Sequence, residues 1–139
     1  MADNMITFSV RGVNKQLLHL GKIAKGLRPE LRKALRKASG HLKRRIKVNL
    51  SGRVLNVRTG RLRSSLEIEE RATIGGHQIE LGYDLKRVVY ARIHEMGGFA
   101  GRGRTVKIPK RPYLRRALVE KKVVIRSVLR DFVTKLMRH

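Results

Sequence analysis

Ten carboxylates make up the acidic inventory of this 139-residue chain: Asp3, Glu30, Glu67, Glu69, Glu70, Glu80, Asp84, Glu95, Glu120 and Asp131. Glu67 and Glu69 fall on one face of a strand, but no third group stands at a spacing suited to acid/base work. They read as solvated surface charge. His94-Glu95 begins like a zinc-protease helix motif, yet the position four residues after the histidine is Gly98, so the second ligand is missing. His19, His41, His77 and His139 show no ligand spacing, and the absence of cysteine removes thiolate sites and disulfides. Ser64 and Ser65 do not sit in a nucleophile elbow and read as turn residues. Gly97 to Gly103, with Arg102 and Arg104, is rich enough in glycine to cradle a phosphate. It lacks both the Walker lysine and the dinucleotide fingerprint, and reads as a flexible loop (97–104) that orders against a partner. The residues therefore predict no catalytic group, no metal and no cofactor: not an enzyme.

Charge is the stronger signal. Lys+Arg number 34 against 10 Asp+Glu, a formal net charge of +24, where small soluble domains usually carry a few units. From Arg11 to Arg63 there are 17 basic residues and one acid, Glu30; from Ser64 to Ala100 there are 4 and 6; from Gly101 to His139 there are 13 and 2. Such a field repels itself and calls for a negative neighbour: nucleic acid, an acidic protein or anionic lipid. Aromatic residues are only 4% and tryptophan is absent. No stacking platform for single-stranded nucleic acid is visible, and sequence-specific readout has no support. No apolar run approaches the roughly 20 residues of a membrane span, and Met1 to Phe8 lacks a secretory-signal layout. A soluble intracellular protein is expected.

These residues need elements to hold them. Ile6 to Val10 alternates with period two and reads as a strand ending at Gly12. Asn14 can cap a helix carrying Leu17, Leu18, Leu20 and Ile23 ahead of Gly26. Pro29 suits the first turn of a second helix, where Leu31, Leu35, Ala38, Leu42 and Ile46 form one stripe and Arg32, Lys33, Arg36, Lys37, Lys43, Arg44 and Lys47 take most of the remaining circumference. Ser51 to Arg58 reads as a loop, and Thr59 as the cap of one helical turn through Leu66. Glu67 to Arg71 and His77 to Tyr83 alternate on either side of Gly75-Gly76, the best hairpin in the chain. Val88 to Met96 is a strand end or a short helix, and Thr105 to Ile108 a last short strand closed by Pro109. Pro112 opens a long helix bearing Leu114, Leu118, Ile125, Val128, Leu129, Phe132 and Leu136; some 25 residues would span about 38 Å. The expected fold class is α+β: a small antiparallel β-sheet with two N-terminal helices and one long C-terminal helix packed on it, as a single domain over 1–139.

Three segments in this order resemble one family. They are Thr59-Gly60-Arg61-Leu62-Arg63-Ser64-Ser65-Leu66, Tyr90-Ala91-Arg92-Ile93-His94-Glu95-Met96-Gly97-Gly98, and Ile108-Pro109-Lys110-Arg111-Pro112-Tyr113-Leu114 running on to Leu118. The ordered triplet is similar to that of phage tail-completion (neck) proteins, also labelled virion-morphogenesis or minor tail proteins. The motif residues Thr59, Gly60, Leu62, Ser65, Tyr90, Ala91, Glu95, Gly97, Pro109, Pro112, Tyr113 and Leu114 read as structural. Gly60 permits a tight turn, Tyr90 and Ala91 pack inward, and Glu95 is available to pair with an arginine. Pro109 and Pro112 fix the chain's approach to the last helix. The sequence departs from the pattern in its extreme charge and in Gly97-Gly98-Phe99, where many relatives have Gly-Thr.

The resemblance implies a virion subunit, made in the host cytoplasm, that forms a ring, commonly a hexamer, at the top of the tail. There it would join head-closure or connector, tail-terminator or tail-tube proteins and surround the DNA channel, with no membrane. Six copies at +24 each would carry about 144 positive charges. A ring roughly 40 Å high encloses only about 24 phosphates at one per 1.7 Å of duplex. Arg32, Lys33, Arg36, Lys37, Lys43, Arg44, Arg102 and Arg104 are therefore expected at partner interfaces, much of this basic surface facing acidic proteins or solvent ions. The alternative is a nonspecific nucleic-acid-binding basic protein.

Overall fold

The computed structural model describes residues 3–9, 24–56, 60–73, 76–84 and 87–138. In chain order the elements are β1 (Asp3–Ser9), α1 (Ala24–Val48), a wide π-type turn (Asn49–Arg53), the single helical turn α2 (Arg61–Ser64), β2 (Leu66–Thr73), β3 (Gly76–Tyr83), α3 (Tyr90–Met96), β4 (Gly98–Ala100), β5 (Val106–Ile108) and α4 (Tyr113–Met137). The class is α+β. A three-stranded antiparallel sheet has the order β1-β3-β2, and β4 and β5 form a separate two-stranded sheet.

The stripe predicted on the first long helix is what that helix buries. Leu31, Leu35, Ala38, Leu42 and Ile46 are all in the core, while Arg32, Lys33, Arg36, Lys37 and Arg44 on the same helix are exposed. Three- and four-residue spacing places these apolar side chains on one side of a 3.6-residue turn. Leu42 and Ile46 are completely enclosed, so truncating either to alanine would cost about 2–5 kcal/mol. The second stripe, on α4, packs against the first: Leu31 and Leu35 cluster with Phe132, Leu129 and Leu136, while Leu42, Ile46 and Leu50 cluster with Leu114, Ala117 and Ile125. The N-terminal half of one helix meets the C-terminal half of the other, so the two run antiparallel. From β3, Ile79, Leu81 and Tyr83 point inward on alternate residues to complete the core.

The hairpin is in unbroken register from Leu66 opposite Tyr83 to Thr73 opposite Gly76. Its loop residues 74–75 lie outside the described residues. On the other side of β3, β1 pairs Ile6 with Leu81 and Phe8 with Ile79, with an irregularity between Asp3 and Ile6.

Several expectations change. The long first helix begins at Ala24, not at Pro29, and runs through both Gly26 and Pro29. Proline's fixed φ is helical, and here it forfeits one bond, to the Lys25 carbonyl, near the helix start. Gly26 is therefore no helix stop. The predicted capped helix from Asn14 to Ile23 lies outside the described residues, as does Thr59. The residue preceding α2 is Gly60, in the left-handed region at φ +70°, which glycine enters without a Cβ penalty. The glycine-rich stretch is not loop throughout. Gly98, Phe99 and Ala100 pair with Ile108, Lys107 and Val106, and Arg102–Arg104 form a 3₁₀ turn between the strands. Composition suggested a loop because glycines at 97, 98, 101 and 103 all take positive φ; they shape a tight hairpin.

A candidate docking cleft and the helix lock beneath it

The long helix α4 starts without a capping side chain of its own, because Pro112 occupies the cap position. The first amides of any helix lack intrahelical acceptors. Glu95, at the far end of α3, supplies them: its Oε2 accepts from the Leu114 N–H at 2.9 Å and its Oε1 from the Arg115 N–H at 2.9 Å. A carboxylate at this point also faces the positive end of the helix dipole. Glu95 is only 5% exposed. The expected pairing with an arginine is therefore replaced by a cap, since both oxygens are taken by backbone amides and none of the ion pairs among the described residues includes Glu95.

Further bonds close the same junction. The Tyr113 hydroxyl donates to the Ala91 carbonyl at 3.0 Å, and the Arg111 N–H donates to the His94 carbonyl at 2.8 Å. Asn49 Nδ2, where α1 ends, donates to the Tyr113 carbonyl at 3.0 Å. The Tyr83 ring meets Tyr113 edge-on with centroids 6.0 Å apart. Burial pushes both phenols well above the usual tyrosine range, so they stay protonated. Gly97 is where α3 ends, at φ +76°; a Cβ there would lie 3.1 Å from the Lys110 N and 3.3 Å from its Cα. Of the residues singled out in sequence, Ala91, Glu95, Gly97, Pro112, Tyr113 and Leu114 thus meet in one lock. Tyr90 does not pack fully inward: it is 39% exposed. Leu62 is buried in the core, while Ser64 and Ser65 donate to the carbonyls of Arg61 and Leu62 as turn residues.

Above the lock lies an open cleft of about 540 Å³, lined by residues from all three motif segments. Leu50, Leu55 and Leu62 form its apolar part, and Arg61, Arg63 and Arg111 stand around it. Tyr90 and His94 complete one wall, their rings edge-to-face at 6.0 Å. Burial, and then the nearby Arg111 guanidinium, hold His94 below the ordinary histidine range, so its ring is neutral at neutral pH.

The eight basic residues expected at interfaces fall on two elements, six on α1 and two on the β4–β5 turn. Arg32 and Arg36 both pair with Glu70 of β2, Arg32 at 2.7 Å, and Lys33 pairs with Glu30 at 2.7 Å. Arg36 holds the Glu70 carboxyl below its usual range, with Arg32 assisting. Lys37, Lys43 and Arg44 on α1, and Arg102 and Arg104 on the β4–β5 turn, form no ion pair with a described residue. Sequence reasoning did not single out Glu120, which gathers Arg45, Arg116 and Arg53 and bridges the two long helices. Its carboxyl is lowered to about 2, first by the Arg45 hydrogen bond and with help from Arg116. The pairing of residues 75 apart has no local sequence signal.

Chemically, these arrangements hold elements together. Glu95 spends both oxygens on amides and so is committed to capping α4. Among the described residues no three His, Cys, Asp or Glu side chains gather as metal ligands, and no helix is long and apolar enough to cross a membrane. Comparison with curated proteins and with solved structures finds no match. A family model does match: residues 22–133, most of the chain, fit the phage virion morphogenesis family. With the motif triplet and the lock it builds, the conclusion is direct: this chain belongs to the phage virion morphogenesis family, whose members build the virion and are not enzymes.

Proposed function

We propose that this chain is a tail-completion subunit at the neck of a tailed phage, where copies form a ring, commonly of six, that joins head to tail around the DNA channel. Its neighbours are head-closure or connector proteins on one side and tail-terminator or tail-tube proteins on the other. The observation that carries this reading is the family match over residues 22–133, in a fold whose motif residues serve its own rigidity. Glu95, Tyr113 and Gly97 clamp α3 to α4, as a building block requires. Charge supports the same reading. Lys37 and Arg44, exposed and without an ion pair to a described residue, and the arginines of the β4–β5 turn are spread over separate elements. That spread suits several acidic neighbours better than one strip along a duplex.

Deleting the gene from its phage tests this. Electron microscopy of the lysate is expected to show filled heads and tails that fail to join, rescued by the gene supplied in trans. Intact, infectious particles from the deletion strain would overturn the neck assignment and favour the nonspecific nucleic-acid-binding alternative.

A further inference from the structure

The cleft beside the Gly60–Arg63 turn is built from several chain segments and shares its floor with the core. Its apolar floor is made by the edges of the largely buried Leu50, Leu55 and Leu62, and Arg61, Arg63 and Arg111 line it as well. Arg61 and Arg111 form no ion pair or side-chain hydrogen bond with a described residue, and Arg63 has only the neutral Ser51 hydroxyl, at 3.0 Å. None of the described residues lining the cleft is acidic. Nδ1 of His94 is buried there without a hydrogen-bond partner. Three like charges around one opening repel each other, and a carboxylate placed among them relieves that repulsion. Guanidinium forks match carboxylates two bonds at a time.

We propose that this cleft is a docking site for an acidic peptide segment of another protein, which seats an apolar side chain on Leu50, Leu55 and Leu62 and directs flanking carboxylates to Arg61, Arg63 and Arg111. The volume, about 540 Å³, suits one or two side chains, within the range of built ligand sites. The apolar part selects peptide over nucleic acid, because a phosphate backbone has no aliphatic group to place there. A second copy of this chain is a poor occupant. It brings another +24, and of its ten acids Glu30, Glu70, Glu95 and Glu120 are already bound to its own cations or amides. The site rests on the neck reading only for where its partner lies.

Fluorescence anisotropy on the full chain tests it with three labelled probes: a 12-residue peptide alternating leucine and glutamate, its leucine/glutamine counterpart, and a 12-nucleotide oligothymidylate. Two double variants, Arg61→Gln/Arg111→Gln in the cleft and Lys37→Gln/Arg44→Gln on α1, remove the same charge at different places, and their melting temperatures report folding. The acidic peptide is expected to bind at least tenfold tighter than its glutamine counterpart. The cleft variant should weaken it tenfold or more and the α1 variant less than twofold. Equal losses in both variants would show attraction to bulk charge alone and overturn the proposal. So would oligothymidylate binding that depends on Arg61 and Arg111 as strongly as peptide binding does. These outcomes are independent of particle joining, so the cleft and the neck assignment fail separately.

Discussion

Replacing Glu95 with alanine removes the acceptor for two amides at the start of α4, at 2.9 Å each. A hydrogen bond to a charged group contributes about 1.5–3 kcal/mol, offset in part by desolvating the carboxylate. Loss of a capping side chain alone costs about 0.5–2 kcal/mol. Here the Leu114 residue is 1% exposed, so water does not readily replace the lost oxygen. The expected penalty is about 2–4 kcal/mol. Unfolding entropy of about 2.1 cal/mol/K per residue, over the chain, converts this to a fall of about 7–14 °C in melting temperature. Glu95→Gln keeps one acceptor oxygen and turns an amide NH₂ toward the other N–H, so it should fall between wild type and Glu95→Ala. Thermal unfolding followed by circular dichroism at 222 nm measures all three. A Glu95→Ala protein melting within about 2 °C of wild type, or a glutamine variant equal to wild type, would refute the cap.

Gly97→Ala places a Cβ 3.1 Å from the Lys110 N at φ +76° and should cost about 1–3 kcal/mol in urea unfolding; an unchanged midpoint would show that the α3 end can relax. Tyr113→Phe removes the bond to the Ala91 carbonyl and should cost about 1 kcal/mol or somewhat more, measured the same way. Glu120 has a folded value of about 2 against an ordinary 4.5. Its ionised form is therefore favoured by folding: the contribution is complete above pH 4.5 or so and is lost as pH falls toward 2. Stability profiles of wild type and Glu120→Gln should run parallel above about pH 5 and converge below it; a gap that widens on acidification contradicts that sign. Lys37→Gln/Arg44→Gln, removing exposed cations that pair with no described residue from a +24 chain, should leave stability within about 0.5 kcal/mol or raise it slightly.

Periodicity carried most of the architecture. The stripes Leu31–Ile46 and Leu114–Leu136 and the alternation on either side of Gly75-Gly76 are local signals, and helix faces and the strand pair follow from them without knowledge of the tertiary fold. What the residues could not disclose was who pairs with whom. Glu95 looked like a partner for an arginine because its true donors, the amide N–H groups of Leu114 and Arg115, lie 19 and 20 residues away and amides leave no mark in a sequence. Arg32 and Arg36 read as partner-interface residues, yet Glu70 reaches both across the helix–sheet interface. The β4–β5 hairpin was hidden because positive-φ glycines read as loop whether they end a strand or interrupt it. The cleft was half legible: each segment lining it was noticed, but only the fold brings Arg61 and Arg111 to the same opening.

The assignment to the virion is tested most directly by quantitative mass spectrometry of gradient-purified mature particles. The chain is expected in every preparation at a small fixed copy number relative to the tail-tube protein, about six per particle for a hexameric ring. Its absence from particles, while the infected-cell extract contains it, would contradict the account.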